Sequence, residues 1–161
     1  MSLARGAAVA MSMPNSLELV VAFIAAACNG SIAAPLNPAY KQGEFEFYIG
    51  DLSAGVLLVS QGEIEQNSEA VKAAKASNTP VFEVYWDGAE MVVCSEQKQK
   101  VAPNASSLVG HASADDIALI LHTSGTTGKP KAVSSFHHTK LSPIDARSGP
   151  LNSSKYNPVD E

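Results

Sequence analysis

Residues 120–131 read Ile-Leu-His-Thr-Ser-Gly-Thr-Thr-Gly-Lys-Pro-Lys, a run of hydroxyls, glycines and lysines that directly follows the apolar stretch 117–121. No other segment constrains the fold as strongly. Gly125 and Gly128 let the backbone approach a ligand closely and tolerate positive φ. Thr123, Ser124, Thr126 and Thr127 offer hydroxyl donors, and Lys129 and Lys131 supply positive charge. Together they form a phosphate cradle, and its expected ligand is a nucleotide triphosphate tail. The alternative reading is a Ser/Gly-rich hairpin with no ligand. The run is not a Walker A loop, because Gly128-Lys129 is followed by Pro130 where that motif needs Ser or Thr opening a helix. Val133, Ser134, Ser135 and Phe136 instead predict a second extended segment, so the expected geometry is strand, loop, strand.

The rest of the chain predicts a partial parallel α/β sheet with flanking helices. Asn15 or Ser16 caps a helix in which Leu17, Val20, Val21, Ile24 and Cys28 recur at helical spacing, with Asn29-Gly30 as its stop. The apolar run 17–28 contains Glu18 and is far shorter than the ~20 residues that cross a bilayer, so a buried helix and no membrane span are expected. Residues 32–36 form a short extended piece, and Asn37-Pro38 turns the chain into a second helix over 41–52. Phe45, Tyr48, Ile49 and Leu52 share one face of that helix.

Residues 56–59 suit a strand covered on both faces. A third helix is predicted over 63–77, with Val71 and Ala74 inward and Asn78 as its end, and then a strand over 81–86. Strand and helix in alternation are the pattern of a parallel sheet. Residues 91–94 read as a further strand and 97–107 as a polar connector. Residues 117–121 read as a central strand that delivers the loop at its carboxyl end, where ligands of open α/β sheets bind. Trp86, Tyr40, Phe45 and Tyr48 are expected in the core.

At 161 residues, with 45% hydrophobic and 17% charged residues, the chain is long enough for one globular domain. A net charge of -5 with only 11 Lys and Arg argues against nucleic acid as a partner. Cys28 and Cys94 have neither metal-ligand spacing nor disulfide density, so both read as packing residues in a reducing, cytoplasmic compartment. Ser12 and Pro14 interrupt the first apolar stretch too early for a signal peptide. His137-His138, with no third ligand nearby, reads as a solvated pair, and no metal-ligating or catalytic set is assigned anywhere. His122 reads as a packed or hydrogen-bonded histidine.

The run 120–131 resembles the Ser/Thr/Gly-rich ATP-binding signature of the adenylate-forming enzymes, the superfamily of acyl-CoA synthetases, luciferases and peptide-synthetase adenylation domains. Pro14-Asn15-Ser16, Pro35-Leu36-Asn37-Pro38, residues 41–52 and residues 116–131 together are similar to the peroxisomal oxalyl-CoA synthetase branch, whose segments read "APLNPxYKxxEFxFYLxDL" and "DVALILHTSGTT". The resemblance covers roughly residues 7–139. It implies a partial AMP-binding N-terminal domain over 1–139; the divergent segment 140–161, rich in Ser, Pro, Asn and charge, is expected to be a disordered or loosely attached tail, of the kind a retained intron, a frameshift or an erroneous gene model produces.

The resemblance also implies the parent chemistry: adenylation of a carboxylic acid by ATP, then thioester formation with CoA. Thr123, Ser124, Gly125, Thr126, Thr127, Gly128, Lys129 and Lys131 would bind the ATP phosphates. Lys131 has a second reading, as partner to a nearby carboxylate, and His122 would lie near the acyl pocket. Mg²⁺ and CoA are implied only for the full-length enzymes, which are several times longer.

The family's later motifs, the Glu that holds Mg²⁺, the ribose-binding Asp, the hinge and the C-terminal lysine, are not found in this sequence. Tyr48-Ile49-Gly50-Asp51 resembles the ribose-binding run but falls inside the second predicted helix. The last residues, Pro158-Val159-Asp160-Glu161, are no peroxisomal Ser-Lys-Leu signal. The leading expectation is a truncated acyl-CoA synthetase segment without turnover of its own. Another is a non-catalytic nucleotide-binding or regulatory protein that associates with a full-length relative through an unpaired sheet edge. A third is a chain whose exposed inner faces prevent stable folding.

Overall fold

The computed structural model describes residues 3–101, 112–123 and 131–136. Its centre is β1 (Ala8–Ser12), a strand whose five residues are all buried. Parallel neighbours flank it, β2 (Ile32–Leu36) on one side and β3 (Val56–Ser60) on the other. In register, Ala10 lies opposite Ala34 on one edge and Leu57 on the other. Outward from β3 come β4 (Val81–Trp86), parallel, and β5 (Met91–Ser95), antiparallel. Outward from β2 come β6 (Ile117–Thr123), parallel, and β7 (Lys131–Phe136), antiparallel. The order across the sheet is therefore β5-β4-β3-β1-β2-β6-β7.

Sequence patterning did not foresee β1. Its Ala-Val-Ala-Met-Ser composition has little intrinsic strand preference, and burial on both faces sets its structure. Alternation along β1 sends Val9 and Met11 to one face of the sheet and Ala10 to the other. Ala10, with Leu36, Leu57 and Val59, packs against Phe45, Tyr48 and Ile49 of α2 (Gln42–Asp51) and Val71 and Ala74 of α4 (Glu69–Ala76). Small alanines on α4 let the helix lie close to the sheet and to α2. Each large side chain fully buried here contributes about 1.5–3 kcal/mol. Val9, Met11, Ala33 and Val56 pack on the opposite face against Ala22, with Leu19, Phe23 and Ala26, of α1 (Leu17–Cys28).

α1 starts where predicted, with the Ser16 hydroxyl accepting from the Leu19 N–H, and ends at Asn29 and Gly30, whose φ is +72°. Its buried face is the alanine side. Leu17, Val20, Val21, Ile24 and Cys28 are exposed, which corrects the expected buried helix and the expected packing role of Cys28. Cys94 is buried as expected.

The predicted third helix is two. α3 (Glu63–Gln66) stops at Asn67, left-handed at φ +49°, and the Ser68 side chain then caps α4 by accepting from the Val71 N–H. A left-handed residue followed by a new cap ends a helix whatever the propensity of its neighbours. Trp86, expected in the core, is 47% exposed at the end of β4. β6, expected to be central, is second from one edge and only partly covered. None of the described helices is long and apolar enough to cross a membrane. The expected tail and His137-His138 lie outside the described residues.

Candidate functional site

β2, β1, β3, β4 and β6 are parallel, so their carboxyl ends share one edge of the sheet. The glycine-rich run leaves from that edge. β6 and β7 form an antiparallel pair in which His122 is opposite Ala132 and Thr123 opposite Lys131. The two strands expected on either side of the loop are thus present, and Thr123 and Lys131 close its base. Of the site residues named from the sequence, these two are described. Ser124, Gly125, Thr126, Thr127, Gly128 and Lys129 lie outside the described residues.

Two tertiary anchors fix β6. At its start, the Asp116 carboxylate accepts from the Ser113 backbone N–H at 2.7 Å and pairs with the Arg5 guanidinium, also at 2.7 Å. Arg5 reaches Asp116 across Gly30, where a Cβ would meet the Arg5 Cγ at 3.4 Å. A Cβ there would be in ordinary contact with the pair, so the glycine is required by its positive φ as the stop of α1.

At the other end, the side chain of His122 is only 4% exposed, and its Nε2 lies 2.9 Å from Asp51 Oδ2 on the last residue of α2. With the carboxylate ionised, Nε2 carries the hydrogen and donates it. The ring sits 4.6 Å from that of Tyr48, which stacks in turn on Tyr40 at 5.0 Å. Burial pushes the Tyr48 hydroxyl above its usual range, and the neighbouring Tyr40 adds to the effect. Nδ1 of His122 is buried and has no hydrogen-bond partner among the described residues.

Tyr48 and Asp51, which superficially resembled a ribose-binding run, therefore sit on α2 as expected, and both face His122. No local signal in the sequence pairs Asp51 with His122, since 71 positions separate them. An apolar cavity of about 300 Å³ lies between α1 and the sheet and is lined by Val9, Ala22, Val56, Leu58, Phe82 and Val84. It is on the face away from His122 and offers little polar chemistry. Among the described residues, no three His, Cys, Asp or Glu side chains converge on a metal position.

Comparison with known proteins places these features in context. The AMP-binding enzyme family matches residues 2–151. Oxalate–CoA ligase of Saccharomyces cerevisiae is 35% identical over 94% of this chain and 31% of its own length. Oxalate–CoA ligase of Arabidopsis thaliana is 42% identical over 80% of the chain and 24% of its own. The chain thus spans less than a third of the length of these curated relatives. Among solved structures, apo MatB from Rhodopseudomonas palustris superposes with a TM-score of 0.58 at 22% identity, covering 84% of this chain and 25% of MatB. That likeness is one of fold.

Proposed function

Because the chain belongs to the AMP-binding enzyme family, we propose that it carries the ATP phosphate-binding loop of an AMP-forming acid–CoA ligase. The observation that supports this most is the closed base of the hairpin: Thr123 and Lys131 stand opposite each other at the carboxyl edge of a parallel sheet, on either side of a run rich in glycine and hydroxyls. In this reading Thr123, Ser124, Thr126 and Thr127 donate to the β- and γ-phosphates. Gly125 and Gly128 admit the phosphates to the backbone, and Lys129 and Lys131 offset the charge that builds on pyrophosphate.

The parent reaction is attack of a carboxylate on the α-phosphate of ATP, releasing pyrophosphate, followed by displacement of AMP by the CoA thiol. Similarity to two oxalate–CoA ligases supports a small dicarboxylic acid as the acid of that lineage. The described residues bring no three His, Cys, Asp or Glu side chains together as a ligand set for Mg²⁺. The 161-residue chain, spanning under a third of its relatives, binds ATP in this reading without completing the ligase cycle. Its isolated cysteines support a reducing, cytoplasmic setting.

Calorimetric titration with ATP tests the proposal. Saturable binding that is lost when Lys129→Ala and Thr126→Ala are combined is the expected result. A flat titration of the unaltered chain rules the nucleotide reading out, and acyl-CoA formation by the purified chain overturns the claim of no turnover. A second reading, association with a full-length relative, is favoured by the exposed apolar stripe of Leu17, Val20 and Ile24 on α1. Co-purification of the two chains, abolished by polar substitutions on that stripe, is the matching test.

A further inference from the structure

The parallel ladder joins β2 to β6 at Ala33 opposite Leu119, and residues 120–123 of β6 pair in register with β7. Residues 120–123 carry the strand on toward the loop, and a side chain that ties them to another element sets where the loop begins. His122 is placed to do so. It projects onto the α2 face, packs against Tyr48 and bonds Asp51. Thr123, the next residue, opens the loop opposite Lys131.

We infer that His122 is a positioning residue for the loop, with Asp51 as its tether, so that the C-terminal end of α2 sets where Thr123 and the loop base stand. The inference rests on the nucleotide reading above only for what the loop holds; the tether itself stands on geometry.

The unpaired Nδ1 separates positioning from plain packing. A leucine or phenylalanine would fill the same space without leaving a buried polar atom unsatisfied, a condition that folded proteins largely avoid. A polar ring at this place is accounted for by its bond through Nε2 to Asp51, between two elements distant in sequence. That bond is directional as well as cohesive: a donor in a rigid ring and a carboxylate at a helix end fix both the depth and the rotation of the strand. Tyr40, stacked on Tyr48, limits the ring's freedom from behind.

The test compares the full 161-residue chain with D51A, H122F and D51N by hydrogen–deuterium exchange and by ATP titration. D51A and H122F are expected to speed exchange of the amides at 120–123 by about tenfold, with β1 and β3 unchanged, and to weaken ATP binding by a similar factor. D51N keeps an acceptor oxygen and is expected to restore most of both. Exchange that rises equally in every strand, or that does not change at 120–123, overturns the positioning role even where the unaltered chain binds ATP normally. Localised exchange in D51A and H122F alongside a flat ATP titration of the unaltered chain upholds the tether and removes the nucleotide reading instead.

Discussion

Arg5 and Asp116, 111 positions apart, form an ion pair at 2.7 Å that fastens the entry to β6 onto the segment leading into β1. Both side chains are partly exposed, so the pair is worth about 0.5–1 kcal/mol after solvent screening. Arg5→Ala and Asp116→Asn should each lower stability by about that amount, and a double-mutant cycle in urea should show that the two losses do not add. Additive losses would mean that the pair does not couple these segments.

Phe45 is 1% exposed and stands between α2 and the sheet. Its replacement by alanine should cost about 3–5 kcal/mol, a large share of the stability of a domain this size. Denaturant unfolding provides the value, and a loss below about 1 kcal/mol would show that this face collapses easily around the gap.

Asn67 joins α3 to α4 in the left-handed region. Glycine there should be tolerated within about 0.5 kcal/mol, whereas valine should cost about 1–2 kcal/mol through the clash of its branched Cβ. Thermal midpoints of the two variants should therefore separate clearly; coincident midpoints would refute a strained junction.

Glu63 and Glu69, at the starts of α3 and α4, respond to pH in opposite senses. Burial raises the Glu63 carboxyl above its ordinary 4.5, against the Ser68 hydroxyl that donates to it. A raised native value makes its contribution greatest below the unfolded value and smaller as pH rises through the native one. Glu63→Gln should therefore be more stable than the unaltered chain at pH 7, with the difference vanishing at acid pH. The Lys72 ammonium and then the Gln42 backbone N–H hold Glu69 below 4.5. Its contribution is present above 4.5 and lost as pH falls through the native value, so Glu69→Gln should be less stable at pH 7 and equal in acid. Unfolding midpoints from pH 3 to 8 check both signs.

Leu17, Val20 and Ile24 are each more than half exposed. Replacing all three by glutamine, a good helix former, should leave the unfolding midpoint nearly unchanged and reduce light scattering at high protein concentration. A steep fall in the midpoint would place these side chains in the core after all.

Much of this was legible in the sequence because it is written in short-range chemistry. The cap at Ser16, the positive-φ stop at Gly30, the shared face of Phe45, Tyr48 and Ile49, and the apolar run of β3 each depend on neighbours a few positions apart. What was not legible depends on distant partners. An alanine-rich strand such as β1 declares itself only when two parallel strands close around it. The apolar residues of α1 have helical period, yet period alone does not say which side meets the sheet, and the alanine side does. The two strands that bracket the glycine-rich run were visible in the sequence, while the contact of His122 with Asp51 was not, because it exists only once α2 has packed.

The position of β1 also bears on how the chain assembles. β1 is the middle of the sheet, β2 joins one side of it and β3 the other, and β4 extends the second side in turn. Each of these additions uses segments made shortly before, so loop closure is short and nucleation belongs to the N-terminal half. β6 must instead return from Leu119 to Ala33, the longest closure in the sheet, bringing β7 with it. On loop-closure grounds the β6-β7 hairpin is therefore expected to dock late, so that the glycine-rich run is framed only once the rest of the sheet is in place.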